Sequence, residues 1–210
     1  MSRRRIQVSS ALLVIVAFLA ACGAPRPIKY YVIDIPPVPA STTAPIPVTL
    51  LVGRITADNL YREDRLVYGS GPVQLGTYEY DRWAESPADM VQNLVISTLR
   101  HSGQFASVSR VGSNVRGDYY VRGHLINMYG VDQPALVARF TLELELYDPQ
   151  ARATVWTQTY THDEPVQGNK VPDIVEAMDR NVSAGMQQLS AGLGQYFASH
   201  PPQASATAKQ

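Results

Sequence analysis

Polar and apolar residues alternate along the second half of the chain in the pattern of half-buried β-strands. In Leu136–Tyr147, large apolar residues occupy every second position from Phe140 onward, and threonine, glutamate or tyrosine fills the positions between them. This alternation predicts one buried and one wet face. Tyr119–Tyr129 precedes this segment across residues 130–134, and Thr154–His162 follows it after the turn sequence Asp148–Ala153. The three segments are expected to form consecutive antiparallel strands.

Two other segments have the 3-and-4 spacing of amphipathic helices. The first opens with Ser86-Pro87-Ala88-Asp89, which supplies an N-cap, a proline at the first helical position and an acid in the first turn. Its apolar stripe consists of Met90, Val91, Leu94, Val95 and Leu99. The second helix is expected from Pro172 to about Ser199. Its three glycines, Gly185, Gly192 and Gly194, weaken it by up to about 1 kcal/mol each, so packing on a sheet must hold it.

The first half of the chain predicts shorter strands with irregular connections. Strand composition occurs at Ile28–Ile35, Val48–Ile55 and Phe105–Val111, and glycines and a proline interrupt it between residues 65 and 80, which suggests a short hairpin or a bulge. Residues 36–47 carry five prolines and are expected to form an exposed, extended connection. We therefore predict one α+β domain over residues 28–199, with two main helices on one face of a mostly antiparallel sheet, and a disordered tail over 200–210.

The amino terminus has the layout of a secretory signal peptide. Arg3, Arg4 and Arg5 form a cationic start, and Ala11–Ala21 is an unbroken run of small and apolar residues. The run is much shorter than the roughly 20 residues that a membrane-spanning helix needs, so a cleaved signal over residues 1–21 is the better interpretation.

The end of this run predicts a lipid anchor. Leu19-Ala20-Ala21-Cys22 resembles the bacterial lipobox, in which the cysteine receives a diacylglyceryl group and becomes the first residue of the mature chain. The sorting rule that accompanies this resemblance favours the outer membrane, because Gly23 and not an aspartate follows Cys22. Residues 22–27 then form a short tether of roughly 20 Å at most, which keeps the domain close to its membrane.

Charge and cysteine content exclude several classes of protein. The 210 residues contain 18 basic and 18 acidic side chains, and removal of residues 1–21 leaves 15 against 18. A mildly acidic domain without a basic patch is not expected to bind nucleic acid or anionic headgroups, so membrane attachment falls to the acyl chains. The single cysteine excludes an internal disulfide and a cysteine-based zinc cluster.

Few residues suggest catalysis. The four histidines are scattered, and only His162 stands beside acids, Asp163 and Glu164, at the start of a polar loop. Ser70 lies between two glycines but lacks the full nucleophile-elbow pattern, and no phosphate loop, dinucleotide fingerprint or zinc spacing is present. We therefore expect a non-enzymatic protein without a cofactor or bound metal.

A binding role remains, and one block of residues is the best candidate for it. The chain has 12 tyrosines and two tryptophans, whose rings offer large contact areas with a polar tip. Tyr80, Asp81, Arg82 and Trp83 combine two such rings with two opposite charges just before the first helix. We predict that these four residues contact a partner, and Trp83 can do so only if its ring is exposed.

The order of short motifs also resembles a known family. Residues 22–156 contain, in order, the lipobox cysteine, Tyr30-Tyr31, a proline-rich gap, Val52-Gly53, Tyr80–Glu85, Asp118–Gly123, Ala138–Tyr147 and Val155-Trp156. This order resembles the ABC-type transport auxiliary lipoprotein family across nearly all of the mature chain. The dense charges of Leu60–Leu66 (LYREDRL) depart from the pattern and leave the role of that segment open.

The resemblance implies a non-catalytic outer-membrane lipoprotein that faces the periplasm and uses no cofactor. Its partner would be the periplasmic MCE-domain protein of an ABC-type system that moves lipids, in particular phospholipids, between the two membranes, and a homo-oligomer is possible by analogy. Two alternatives stay open at this point. One is a lipoprotein activator or assembly factor of envelope polysaccharide machinery, and the other is a periplasmic serine hydrolase with Ser70 as nucleophile.

Overall fold

A computed structural model describes residues 26–69, 73–132 and 135–202. The predicted signal peptide, Cys22 and most of the tether lie outside these residues, as does the predicted tail beyond residue 202. In chain order the strands are β1 (Lys29–Tyr31), β2 (Ile46–Ala57), β3 (Arg65–Gly69), β4 (Leu75–Trp83), β5 (Phe105–Arg110), β6 (Tyr119–Asp132), β7 (Leu136–Asp148) and β8 (Ala153–Pro165). The helices are α1 (Pro87–His101) and α2 (Val171–Ser199).

All eight strands belong to one sheet, which is organised around β6. Strand β7 pairs with β6 along nearly its whole length, while β2 pairs with residues 119–125 of β6 and β3 pairs with residues 130–131. Strands β2 and β3 therefore follow one another along the same edge of β6. Beyond them, β5 pairs with β2, and β4 followed by β1 extends the sheet from β3.

The predicted α+β class is confirmed, and so is the antiparallel series β6–β7–β8, which forms the longest ladders of the sheet. Parallel pairing joins β2 to β5 and β6, β3 to β6, and β1 to β4. Periodicity within each segment gave no indication of these parallel pairs, because it reports which face of a strand is buried and not which strand lies beside it.

The two helices lie side by side on one face of the sheet. Helix α1 packs on β2 and β5, α2 packs on β7 and β8, and the helices contact each other. The predicted start of α1 is confirmed, since the Ser86 hydroxyl accepts a hydrogen bond from the Asp89 backbone N–H at 3.2 Å. At the start of α2 the Asp173 carboxylate accepts the backbone N–H of Lys170 at 2.9 Å.

A buried asparagine fixes α2 to the β7–β8 hairpin. The Asn181 side-chain amide donates to the carbonyl oxygens of Ala138 and His162, both at 2.8 Å, and its oxygen accepts the Tyr160 hydroxyl at 2.9 Å. Both polar atoms of the buried Asn181 side chain are thereby hydrogen-bonded, in a place where an unpaired polar atom costs roughly 1–3 kcal/mol. The network sets the position of the Tyr160 ring against the helix.

Gly185 lets the helix approach this ring closely. A methyl group at position 185 would lie 2.8 Å from a ring carbon of Tyr160 and 3.2 Å from Phe140. We expect Gly185→Ala to lower the free energy of unfolding by about 1–3 kcal/mol, because the ring is held by Asn181 and cannot yield. Urea unfolding followed by circular dichroism measures the change.

Gly192→Ala is the matched control for this prediction. The three atoms nearest to an added methyl group at position 192 all belong to the amide end of the flexible Gln158 side chain, which can move aside. Relief of the helix-propensity penalty should then raise stability by up to about 1 kcal/mol. Equal effects of the two substitutions would show that close packing at Gly185 is not what holds α2.

Candidate partner-binding site

The predicted block Tyr80–Trp83 forms the carboxyl end of β4, between β1 and β3. Tyr31 pairs with Trp83 and Lys29 with Asp81 on the β1 side, and Arg65 pairs with Arg82 on the β3 side. The four residues therefore lie inside the sheet and not on a loop. Their side chains have different environments, which decide what each can bind.

Trp83 is a core residue. Its side chain is only 3% exposed and belongs to the main hydrophobic cluster under the helices. The backbone holds it on both sides, since the Trp83 N–H donates to the carbonyl of Asp64 at 2.6 Å and the next N–H donates to the carbonyl of Tyr31 at 2.8 Å. A ring buried in this way cannot contact a partner directly, so the exposure on which the prediction for Trp83 depends is not found.

Asp81 binds the first strand. Its carboxylate accepts a hydrogen bond from the Tyr31 hydroxyl at 2.9 Å. Burial, together with this hydrogen bond and the nearby negative charge, raises the pKa of Tyr31 to about 12, so the hydroxyl remains a donor at any physiological pH. The contact fastens β1, the strand that follows the predicted tether, to the body of the sheet.

Arg82 gives the charged segment Leu60–Leu66 a structural role. Its guanidinium donates to both carboxylate oxygens of Asp64, at 3.0 and 3.2 Å. The segment follows β2 and includes the first two residues of β3. Tyr61 and Leu66 are buried, whereas Arg62, Glu63 and Arg65 are exposed. The LYREDRL motif is thus the connection that lets β2 and β3 follow the same edge of β6.

Tyr80 is partly exposed, as Asp81 and Arg82 are, but unlike theirs its side chain is not bonded to Tyr31 or to Asp64. Its ring is partly exposed, and the Arg26 guanidinium lies 5.8 Å from the ring centroid. The carboxylate of Glu79 raises the pKa of the Tyr80 hydroxyl through a hydrogen bond and its charge. A partly exposed tyrosine with a cation on its face, beside the first strand, is the part of the predicted site that can meet another molecule.

A row of exposed apolar residues lies next to Tyr80 and was not predicted from the sequence. Ile28, Tyr30 and Val32 are 44%, 62% and 58% exposed, whereas Ile33 is 7% exposed and Tyr31 packs against the core. The segment Ile28–Ile35 has apolar residues in both phases of the strand, so alternation could not tell the inner side from the outer one. Only pairing of β1 with β4 decides which side faces the core.

The His162 segment is part of a surface ion-pair network. Asp163 accepts two hydrogen bonds from the Arg139 guanidinium, the shorter at 2.6 Å, and Glu164 pairs with Arg180 at 2.9 Å and lies 3.4 Å from His162. The pKa of Asp163 is lowered by the Arg139 hydrogen bonds, as expected of a paired carboxylate. Ser70, the other residue considered for catalysis, lies outside the described residues.

The face of the sheet opposite the helices is polar and carries both signs of charge. Arg122 pairs across the strands with Glu145 and His124 with Glu143, and these side chains line a shallow cavity of about 240 Å³. The Arg122 guanidinium also lies 4.1 Å from the centroid of the Tyr147 ring. Because basic and acidic side chains are mixed here, this surface is better suited to contact with solvent than to binding an ion of one charge.

Two properties concern only residues 26–69, 73–132 and 135–202, the part of the chain that the structure describes. No three histidine, cysteine, aspartate or glutamate side chains come together there as a metal-binding group. No helix in the same part of the chain is long and apolar enough to cross a bilayer.

Comparison with known structures defines the class of fold. The crystal structure of a DUF330-family protein from Xanthomonas campestris superposes with a TM-score of 0.75 at 19% identity, covering 82% of this chain and 98% of that one. The crystal structure of a second protein, described as uncharacterized, superposes with a TM-score of 0.60 at 14% identity, covering 82% and 99%. No curated protein matches the chain. The fold is therefore that of a small α+β domain already seen in crystals.

The family follows from the sequence itself. The family model for the ABC-type transport auxiliary lipoprotein component matches residues 31–191. The chain belongs to this family, as the order of its motifs predicted. The match begins at the last residue of β1 and ends within α2, so it covers the strands from β2 to β8 completely.

Proposed function

We propose that this protein is an outer-membrane lipoprotein that binds the periplasmic MCE-domain component of an ABC-type lipid transport system. The observation that carries the proposal is the lipobox ending at Cys22, followed by Gly23 and directly by an auxiliary lipoprotein domain matched over residues 31–191. Acylation of Cys22 places the domain on a membrane, and Gly23 favours the outer one. The partner must then reach the domain across the periplasm.

The proposed role is binding and not catalysis. The family is described as an auxiliary component of transport. The acids beside His162, which were the best candidates for acid–base chemistry, are held in ion pairs with Arg139 and Arg180. We expect a transporter component to bind the exposed surface of the sheet that lies near the membrane anchor.

Within the predicted site, the proposal assigns the contact to Tyr80. Trp83 is buried, Asp81 is bound to Tyr31, and Arg82 is bound to Asp64, so these three residues position β4. Tyr80 lies beside β1, the strand nearest Cys22 in sequence. An MCE-domain protein bound at Tyr80 would therefore end close to the outer membrane, which receives or supplies the transported lipid.

Affinity capture tests the proposal directly. The acylated protein, carrying an affinity tag at its C-terminus, is captured from detergent-solubilised envelopes of cells that encode MCE and ABC-permease proteins. We expect the MCE-domain protein to be recovered and its amount to fall several-fold with Tyr80→Ala. The tyrosine ring is the type of side chain that contributes most strongly to binding at protein interfaces.

Val115→Ala is the control, because Val115 is an exposed side chain (43%) that follows β5, away from β4. It should leave recovery unchanged. Failure to recover an MCE-domain protein from cells that contain one would rule out the proposed function. Recovery that is insensitive to Tyr80→Ala would retain the function and reject Tyr80 as the contact.

A further inference from the structure

The outer side of β1 is an apolar strip that the core does not use. Three of the eight exposed large apolar side chains among the described residues are Ile28, Tyr30 and Val32. Tyr30 lies in β1, and Ile28 and Val32 flank the strand at alternate positions. All three are exposed, whereas Ile33 is buried and Tyr31 packs against the core, so the exposed residues lie on the outer side. Exposed apolar side chains that occur singly need no explanation, but three in one row indicate a contact.

The length of chain before this strip limits what can cover it. Four residues, each at most about 3.6 Å long, separate Cys22 from Arg26, so the first described residue lies within about 14 Å of the acylated cysteine. Ile28 lies within about 22 Å by the same measure. The headgroup region of one leaflet is itself roughly 5–8 Å deep. The strip therefore cannot move far from the bilayer that holds the acyl chains, an inference that rests on the proposed acylation of Cys22.

A basic residue beside the strip suits a bilayer surface as well. Arg26 is exposed, and its guanidinium lies 5.8 Å from the centroid of the Tyr80 ring. Lys29 is also exposed but belongs to the other set of alternate positions, with Tyr31. Long basic side chains can keep their charge at the phosphate level while their stems cover apolar surface, and tyrosine is enriched where membrane meets water. We propose that the outer side of β1, formed by Ile28, Tyr30 and Val32, lies against the bilayer and orients the domain on it.

The proposed contact between β1 and the bilayer orients the domain, whereas the acyl chains on Cys22 only attach it to the membrane. Acyl chains on a flexible tether permit the domain to tumble, whereas a second contact through β1 fixes one edge of the sheet toward the lipid. Tyr31 and Asp81 transmit that orientation to β4 through their 2.9 Å hydrogen bond. Tyr80, one residue before Asp81, is then presented at the membrane border in a defined direction.

An environment-sensitive fluorophore at position 30 tests this inference. When Cys22 carries a thioether-linked lipid, Tyr30→Cys introduces the one free thiol of the chain, which can be labelled with a nitrobenzoxadiazole dye. The acylated protein is reconstituted in vesicles of phosphatidylethanolamine and phosphatidylglycerol. The control is Val111→Cys, because Val111 is 45% exposed and follows β5 at the other end of the strand order.

We expect both labelled proteins to float with the vesicles. Emission at position 30 should be blue-shifted and several-fold stronger than at position 111, and it should be quenched by lipids brominated near the headgroup. Equal emission at the two positions in floating protein would overturn the inference. So would strong emission at position 30 that brominated lipids do not quench, since a second copy or another protein would then cover the strip.

Loss of flotation has a different meaning. It would show that Cys22 provides no lipid anchor, and the proposed function would fail together with the contact that rests on it. The flotation assay therefore separates failure of the anchor from failure of the β1 contact, and neither measurement requires the transport partner.

Discussion

Replacement of Trp83 by alanine is expected to lower the free energy of unfolding by about 3–5 kcal/mol, the usual cost of removing a large buried aromatic side chain. The indole is 3% exposed, and its strand is held between β1 and β3. The cavity cannot close easily, because the backbone of Trp83 is bonded to Asp64 and the following residue is bonded to Tyr31. This is the largest stability effect we expect from a single change in the block.

Thermal unfolding followed by near-ultraviolet circular dichroism measures this effect. For a chain of this size, the loss corresponds to a fall in melting temperature of roughly 6–20 °C. Trp83→Phe is the control, and it should keep most of the stability because an apolar ring remains. The indole N–H that it removes has no hydrogen-bond partner among the described residues, so its loss leaves no acceptor unpaired.

Unchanged stability with loss of partner binding would instead show that Trp83 contacts the partner directly. If Trp83→Ala unfolded at the same temperature as the unaltered protein but no longer captured its partner, the ring would have to be a surface contact. A fall in stability together with reduced capture would instead show that Trp83 acts by positioning β4.

Local signals predicted the helices and the long strands well. Ser86 and Pro87 mark the start of α1 because capping and the missing proline N–H are effects of a few neighbouring residues. The alternation in Leu136–Tyr147 likewise reports burial of one face of β7, whose apolar residues Phe140, Leu142, Leu144 and Leu146 are at most 3% exposed. In these segments, residues close together in the sequence are sufficient to determine the secondary structure.

The block Tyr80–Trp83 shows what local signals cannot decide. Its aromatic and charged residues have the composition of an exposed binding site, yet three of its side chains are used within the fold. Trp83 is buried because β1, over 50 residues earlier in the chain, pairs beside it, and Arg82 is bound because the connection from β2 to β3 passes nearby. Contacts between segments distant in sequence decided the role of each residue.

The first strand raises the same problem in a different form. Ile28–Ile35 is apolar in both phases, so the sequence predicted a strand without an inner and an outer side. Pairing with β4 places Tyr31 against the core and exposes Tyr30. The pairing thus creates an apolar strip on the surface, and the position of this strip just after the proposed anchor is the basis of the bilayer contact proposed for it.

Replacement of Cys22 by alanine is expected to abolish acylation of the protein completely, which is the second large effect we predict. Cys22 is the one cysteine of the chain, so no other thiol can accept the diacylglyceryl group. Each buried methylene of an acyl chain contributes roughly 0.8 kcal/mol, and two or three chains hold a protein on a bilayer without a spanning segment. The variant should incorporate no labelled palmitate and should be absent from the outer-membrane fraction of a sucrose gradient.

Gly23→Asp is the matched control for this experiment, because it keeps the cysteine and changes only the residue that the sorting rule reads. It should incorporate palmitate as the unaltered protein does but sediment with the inner membrane. Outer-membrane retention of Cys22→Ala would disprove the lipobox assignment, and outer-membrane retention of Gly23→Asp would show that position 23 does not direct sorting. Since acylation and sorting depend on adjacent residues, the two variants separate attachment to a membrane from the choice of membrane.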